Sequence, residues 1–170
     1  ARSMQNSGFG SRKTSCCIRF RSDPVSLERK RETIMAVTGG CYCGAIRYEA
    51  GGDPIMKASC YCRECQYFTG GQANTFMAMP ASGFRYTRGQ PKGFRRSDLE
   101  RGNLREFCPT CGTHVATRSA SLPNAVILKV GTLDDPSVFG QPQMTMQTAD
   151  AQCFQHVPED IASFERFPGQ

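Results

Sequence analysis

From Thr38 onward, apolar residues come in short runs rich in β-branched and aromatic types, broken often by Gly and Pro. That punctuation belongs to strands joined by turns. Ala45-Ile-Arg-Tyr48 alternates as a half-buried strand does. Asn74 to Met79, Gly83 to Thr87, Leu104 to Phe107, His114 to Thr117 and Ala125 to Val130 read as further strands. Gly51-Gly-Asp-Pro54 and Arg88-Gly-Gln-Pro91 are turns, and Thr132-Leu-Asp-Asp-Pro136 is a turn or a single helical turn. No continuous amphipathic helix of any length is expected after Met35, and no internal repeat stands out. No stretch approaches the roughly 18 apolar residues of a membrane-spanning helix, so no membrane partner is expected. The pattern predicts a mainly β domain.

The first 34 residues do not share this pattern. They are rich in Ser and Arg, poor in acidic residues, and carry no sustained apolar period. They read as a leader. It could be translated sequence upstream of an initiator at Met35, an organelle-targeting segment, or partly a cloning remnant, since the chain begins with Ala1. The first is favoured, because Met35 stands six residues before the first cysteine pair. Ser26 to Thr33 could form a short polar helix. The domain is therefore expected over residues 35–170, a length that buries one real core.

This division changes what the charge means. The net charge is +6, but residues 1–34 hold eight Lys/Arg against three acidic residues, or +5. Residues 35–170 hold the other 13 basic and 12 acidic residues, or +1. A polyanion-binding surface is not indicated, and no nucleic-acid partner is expected.

Ten cysteines are many for 170 residues. Seven of them form three clusters: Cys41-Tyr-Cys43, Cys60-Tyr-Cys62-Arg-Glu-Cys65 and Cys108-Pro-Thr-Cys111. Cysteines this close chelate one ion readily and pair with each other poorly, because disulfide geometry is demanding at such separations. Metal ligation in a reducing compartment, the cytoplasm, is therefore expected over a disulfide framework. Cys16 and Cys17 lie in the leader and are set aside.

Seven sulfurs exceed one tetrahedral zinc and fall one short of two closed Cys₄ sites. The count predicts two Zn²⁺ per chain, one closed and one with an open position. Closed sites hold structure, whereas open ones do chemistry. Cys108-Pro-Thr-Cys111-Gly112 has the form of a zinc knuckle, its glycine free to take φ > 0. Cys41-x-Cys43-Gly44 is its natural complement, and the four would clamp an N-terminal hairpin to a distant one. Cys60, Cys62 and Cys65 have no obvious fourth partner. Cys153, His114, His156 and a non-protein ligand are the candidates. Both histidines read better as ordinary surface or core residues, and Cys153 as a small buried one. What remains is Cys₃ plus water or a substrate atom. With three thiolates such a zinc is a weak Lewis acid. It still lowers the pKa of a bound thiol, which suits making or breaking a carbon–sulfur bond.

Gly40-Cys-Tyr-Cys-Gly44, Cys60-Tyr-Cys-Arg-Glu-Cys65 leading to Gly70-Gly71, Phe107-Cys-Pro-Thr-Cys-Gly112 and Gly131-Thr-Leu-Asp-Asp-Pro136 resemble the glutathione-dependent formaldehyde-activating enzyme family. That family includes the centromere protein V group. The resemblance covers about residues 38–168, with the motifs in order. It implies a mainly β, Mss4-like complex fold stabilised by two zinc sites. By motif position, Cys41, Cys43, Cys108 and Cys111 would hold the structural zinc and Cys60, Cys62 and Cys65 the catalytic one. The activity implied is a carbon–sulfur lyase, S-(hydroxymethyl)glutathione synthase-like, with a small-molecule thiol such as glutathione as partner. The alternative is a non-catalytic, zinc-stabilised binding module. The chain departs from the family where many members carry a histidine and then a tryptophan. Here those regions read Gln143-Met-Thr-Met146 and Cys153-Phe154.

Three other readings concern neighbouring side chains. Asp134 and Asp135 suit turn capping better than acid–base work. Arg63 could neutralise the anionic site or meet a substrate carboxylate, or be a solvated surface residue. Tyr42, Tyr61, Tyr67, Phe68 and Phe76 are expected to pack around the metal clusters.

Overall fold

The computed structural model describes residues 36–100 and 102–169. The leader, Cys16, Cys17, Met35 and the helix expected over 26–33 lie outside the described residues. In chain order the elements are β1 (Val37–Gly40), β2 (Arg47–Ala50), β3 (Met56–Cys60), α1 (Arg63–Thr69), β4 (Asn74–Pro80), β5 (Phe84–Arg88), β6 (Lys92–Phe94), β7 (Leu104–Phe107), β8 (His114–Arg118), β9 (Ala125–Lys129), β10 (Met144–Met146) and β11 (Ala162–Phe164). One sheet has the order β1-β2-β5 and the other β11-β10-β3-β4-β9-β8-β7-β6. This is the mainly β, Mss4-like architecture with little helix.

The alternation of residues on β4 explains the layering. Met77 and Met79 face a core shared with Tyr48, Ile46, Val115, Val126 and Leu128, between the two sheets. Phe76 and Ala78 face the opposite way, into a second cluster with Ala58, Cys60, Cys65 and Met146 under α1. A strand buried on both faces reads as a continuous apolar run, which Thr75-Phe-Met-Ala-Met-Pro80 does. Each large side chain fully withdrawn from water contributes about 1.5–3 kcal/mol, so the first core holds the small sheet onto the large one.

The expected strands are present, with the first shifted to Arg47–Ala50. Strands β1, β3, β6, β10 and β11 go beyond the sequence expectation. Two of these, β10 and β11, are three residues long and pair in parallel alongside β3 (Met144↔Ala58, Met146↔Cys60). Tertiary register, not propensity, makes them strands.

The helix α1 corrects the expectation of none. It spans two turns and buries only Cys65 and Gln66, so it leaves no apolar period to read. Gln66 holds it in place by donating to the carbonyls of Tyr61 at 2.6 Å and Asp150 at 3.0 Å.

The Gly131-Thr-Leu-Asp-Asp-Pro136 stretch clamps β9 to the first hairpin. The Thr132 hydroxyl donates to the Lys129 carbonyl at 2.8 Å and meets the buried Tyr48 hydroxyl at 2.8 Å. Asp134 accepts from Thr38 at 2.7 Å and pairs with Arg47. Asp135 caps the 3₁₀ turn Pro136–Phe139, accepting from the Ser137 N–H at 2.9 Å. Both aspartates thus serve structure, as expected for a turn.

Candidate metal centres

The loop between β1 and β2 and the loop between β7 and β8 are built alike. In the first, Cys41 N–H donates to the Ile46 carbonyl and Gly44 N–H to the Cys41 carbonyl, at 3.1 and 3.0 Å. In the second, Cys108 N–H donates to the Thr113 carbonyl and Gly112 N–H to the Cys108 carbonyl, both at 2.9 Å. Gly44 and Gly112 close these turns at φ +74° and +72°, where any other residue is strained. Tyr42 N–H joins the loops by donating to the Thr113 hydroxyl at 3.2 Å.

The sulfurs of Cys41, Cys43, Cys108 and Cys111 lie within 4.8 Å of one another. Cys41–Cys43 is 3.6 Å and Cys43–Cys108 is 3.7 Å. A tetrahedral zinc with bonds of about 2.3 Å needs sulfur separations of about 3.8 Å. The set therefore fits such an ion with its thiolates already arranged. Ile46 N–H donates to the Cys41 sulfur at 3.2 Å and the Thr113 hydroxyl lies 3.2 Å from that of Cys111, contacts that stabilise negative sulfur.

Cys60, at the end of β3, Cys62 and Cys65, in the first turn of α1, form a second group whose sulfurs also lie within 4.8 Å of one another. Cys62 caps the helix, its sulfur accepting from the Cys65 N–H at 3.4 Å. Hydrogen bonding from Cys60 and Cys65 pulls the Cys62 thiol down in pKa, helped by the Arg105 charge. Bonding with Cys62 and Cys65, then burial, pushes the Cys60 thiol up. Cys65 also ends up raised, the downward pull of Cys60 being outweighed by Cys62 and burial. Three close thiols hold one charge among themselves, and a cation is what would let all three ionise. The eight described cysteines are all free.

The remaining candidates lie elsewhere. Cys153 is exposed, which corrects the reading of it as buried, and it belongs to neither group. His156 is exposed, and its carbonyl accepts from the Tyr61 hydroxyl at 2.6 Å. His114 is half-buried and turned to its own strand, Nε2 lying 3.1 Å from the Ala116 carbonyl and 3.0 Å from the Thr117 hydroxyl. Burial, then the charges of Lys129 and Arg105, push its pKa down to about 3, so the ring is neutral. Tyr61 and Phe76 are buried as expected. Tyr42 and Tyr67 are 94% and 79% exposed and Phe68 is exposed as well, so these three do not pack as expected around the metal groups. Arg63 is exposed, bonded to Gln66 and 5.4 Å from the Tyr67 ring.

Reading the sequence missed two cations on the face beneath α1. Arg105 on β7 is buried, paired with Glu64 at 2.6 Å and stacked 4.2 Å from the Phe68 ring. Lys129 on β9 is half-buried. Burial, partly offset by Cys65, lowers its pKa to about 8. Only the register of β9 on β4, Phe76↔Lys129, brings it there. A cleft of about 370 Å³ is lined by Phe68, Asn74, Thr75, Thr113, His114 and Lys129 among others, and it meets the three-cysteine segment through Asn74, the sheet neighbour of Cys60. The departing residues of the C-terminal region border this site too: Met146 pairs with Cys60, and Phe154 approaches Gly71 after the helix.

A sequence model described as "Glutathione-dependent formaldehyde-activating enzyme" matches residues 36–150. Nothing matches among curated proteins. Among solved structures, the crystal structure of a Rhodobacter sphaeroides protein aligns with a TM-score of 0.50 at 21% identity. The alignment covers 62% of this chain and 96% of that one. It supports the fold alone.

Proposed function

The chain belongs to the glutathione-dependent formaldehyde-activating enzyme family, and on that premise we propose that it is a zinc-dependent carbon–sulfur lyase acting on a thiol adduct. Glutathione with a formaldehyde-like electrophile is the pair its family name suggests. Cys41, Cys43, Cys108 and Cys111 would hold a structural zinc, and Cys60, Cys62 and Cys65 a catalytic one.

One observation carries this reading. The first group gathers four sulfurs, the number a tetrahedral ion needs, whereas the second gathers three and leaves one position for a substrate atom. When bound, zinc at the second group would lower the pKa of a substrate thiol and keep it nucleophilic at neutral pH. The protein's own side chains do the rest. Cys62 is fixed by its bond from the Cys65 N–H, so the group's geometry is set before substrate arrives. Tyr61 and Gln66 tie the segment to the 150–156 loop, which covers one side of it. Phe68 and His114, 5.2 Å apart between ring centroids, form part of the wall of the neighbouring cleft.

The test is metal stoichiometry together with the visible spectrum of cobalt-substituted protein, with and without glutathione. Two metals per chain, one of them shifting on thiol addition, is the expected result. Two metals indifferent to any thiol would replace this reading by the non-catalytic binding module.

A further inference from the structure

Lys129 is the cation of this face left without a carboxylate. Arg105 has Glu64, Arg96 has Asp98 and Arg47 has Asp134. Among the described residues Lys129 has no such partner. The charged and titratable groups that act on it are the three cysteines and Arg105. It stands in the cleft wall with Asn74, which is buried and pairs with Cys60 across β3 and β4. Cys60 lies opposite Asn74 and Lys129 opposite Phe76, so the two stand on one face of the sheet, two strands and two residues apart, about 12 Å between Cα atoms. A substrate sulfur held at the cysteines would thus have its neighbouring atoms between Cys60 and the Lys129 ammonium. Neutral His114 and the aromatic ring of Phe68 supply no competing charge there.

We propose that Lys129 is a catalytic residue that binds the oxygen of the thiol adduct as it becomes anionic, so that the site favours sulfur ligands with an anionic oxygen at the adduct's position, which mercaptoacetate imitates. This inference rests on the reading of the three-cysteine group as an open thiol site. In the forward direction the thiolate sulfur attacks the carbonyl carbon and a carbon–sulfur bond forms. The C=O π pair moves onto oxygen, and Lys129 stabilises that oxyanion until a solvent proton completes the hydroxyl. In reverse, the hydroxyl loses its proton, the oxygen pair re-forms C=O, and the sulfur departs as thiolate. An ammonium already in place stabilises developing charge with little reorganisation.

The test uses full-length, cobalt-substituted protein titrated with mercaptoacetate and with 2-mercaptoethanol, two small thiols that differ in the anionic group. The wild type is expected to bind mercaptoacetate about tenfold more tightly, a charge-assisted contact's usual contribution. Lys129→Gln should erase that preference while keeping both metals, and Lys129→Arg should retain most of it. Equal binding of the two thiols by the wild type, or a preference that survives Lys129→Gln, overturns the proposal and leaves the open site standing. Loss of the second metal in Lys129→Gln and Lys129→Arg alike overturns it in favour of a residue that only supports the ligands. No spectral response to either thiol overturns the open-site reading itself, and the proposal with it.

Discussion

Cys41, Cys43, Cys108 and Cys111 come from two hairpin loops, with Cys43 and Cys108 65 residues apart in sequence. Cys60, Cys62 and Cys65 come from six consecutive residues at one strand-to-helix junction. The first group joins distant segments, so an ion there closes a long loop, and its binding energy becomes folding energy. The second group sits within one short segment already held by β4, β10 and the bonds of Gln66, so an ion there organises little beyond its own ligands. Exposure does not tell them apart, since Cys43 of the four-sulfur group is exposed while Cys60 and Cys65 are buried. The number of sulfurs does. A closed site can stand at the surface because no position is left for solvent, whereas a reactive one needs both an opening and a sheltered wall.

The largest effect should come from cutting the long-range group. Cys108→Ser would remove a buried ligand, and structural zinc sites are worth on the order of 10 kcal/mol, comparable to a domain's whole stability. We expect loss of the cooperative thermal transition by circular dichroism. Cys62→Ser should instead leave that transition within a few degrees while abolishing the thiol-responsive metal and any turnover. If both variants unfold alike, the contrast between the two groups is wrong.

Proton release sharpens the same contrast. At the three-cysteine group Cys60 and Cys65 are held above the ordinary thiol range and Cys62 below it. At neutral pH the metal-free group therefore carries protons on Cys60 and Cys65, both of which metal must expel. Affinity should rise with pH, by about 100-fold per unit between pH 6 and 8, and fall as steeply on acidification. Competition with a chelator of known affinity at three pH values reads the slope directly. A slope near zero would mean that the thiols ionise without metal.

Smaller effects come from the clamp behind the four-cysteine group. A Cβ on Gly39 would lie 2.3 Å from the Thr132 carbonyl oxygen, a backbone atom that cannot step aside. Gly39→Ala should cost about 1–3 kcal/mol, seen as a lower denaturation midpoint, with the thiol-responsive spectrum unchanged. Asp134→Ala removes only exposed contacts, to Arg47 and Thr38, and should cost about 0–1 kcal/mol in the same assay.

Much of the site was legible in the chain. Thiolate spacing is local chemistry: two residues between Cys108 and Cys111 and a glycine after them specify a knuckle whatever surrounds it. The grouping of that knuckle with Cys41 and Cys43, the separate trio and the structural role of Asp134 and Asp135 followed from counting cysteines and turn residues. Reading Cys153 as buried failed because a small side chain in an irregular loop carries no periodicity. Tyr42 and Tyr67 failed likewise, since adjacency to a ligand in sequence says nothing of which face the next residue takes.

By itself, then, the sequence determined the three cysteine clusters and the β character, because spacing and strand pattern are properties of a few neighbouring residues, and counting sulfurs divided the clusters into four and three. The tertiary structure alone decided that α1 would form on the purchase of Gln66, that three-residue β10 would lie against Cys60, and that Lys129 would enter the cleft without a partner. Those outcomes depend on register between strands far apart in the chain. A shift of one residue in β9 would carry Lys129 to the opposite face, and nothing in its immediate sequence neighbourhood records that choice.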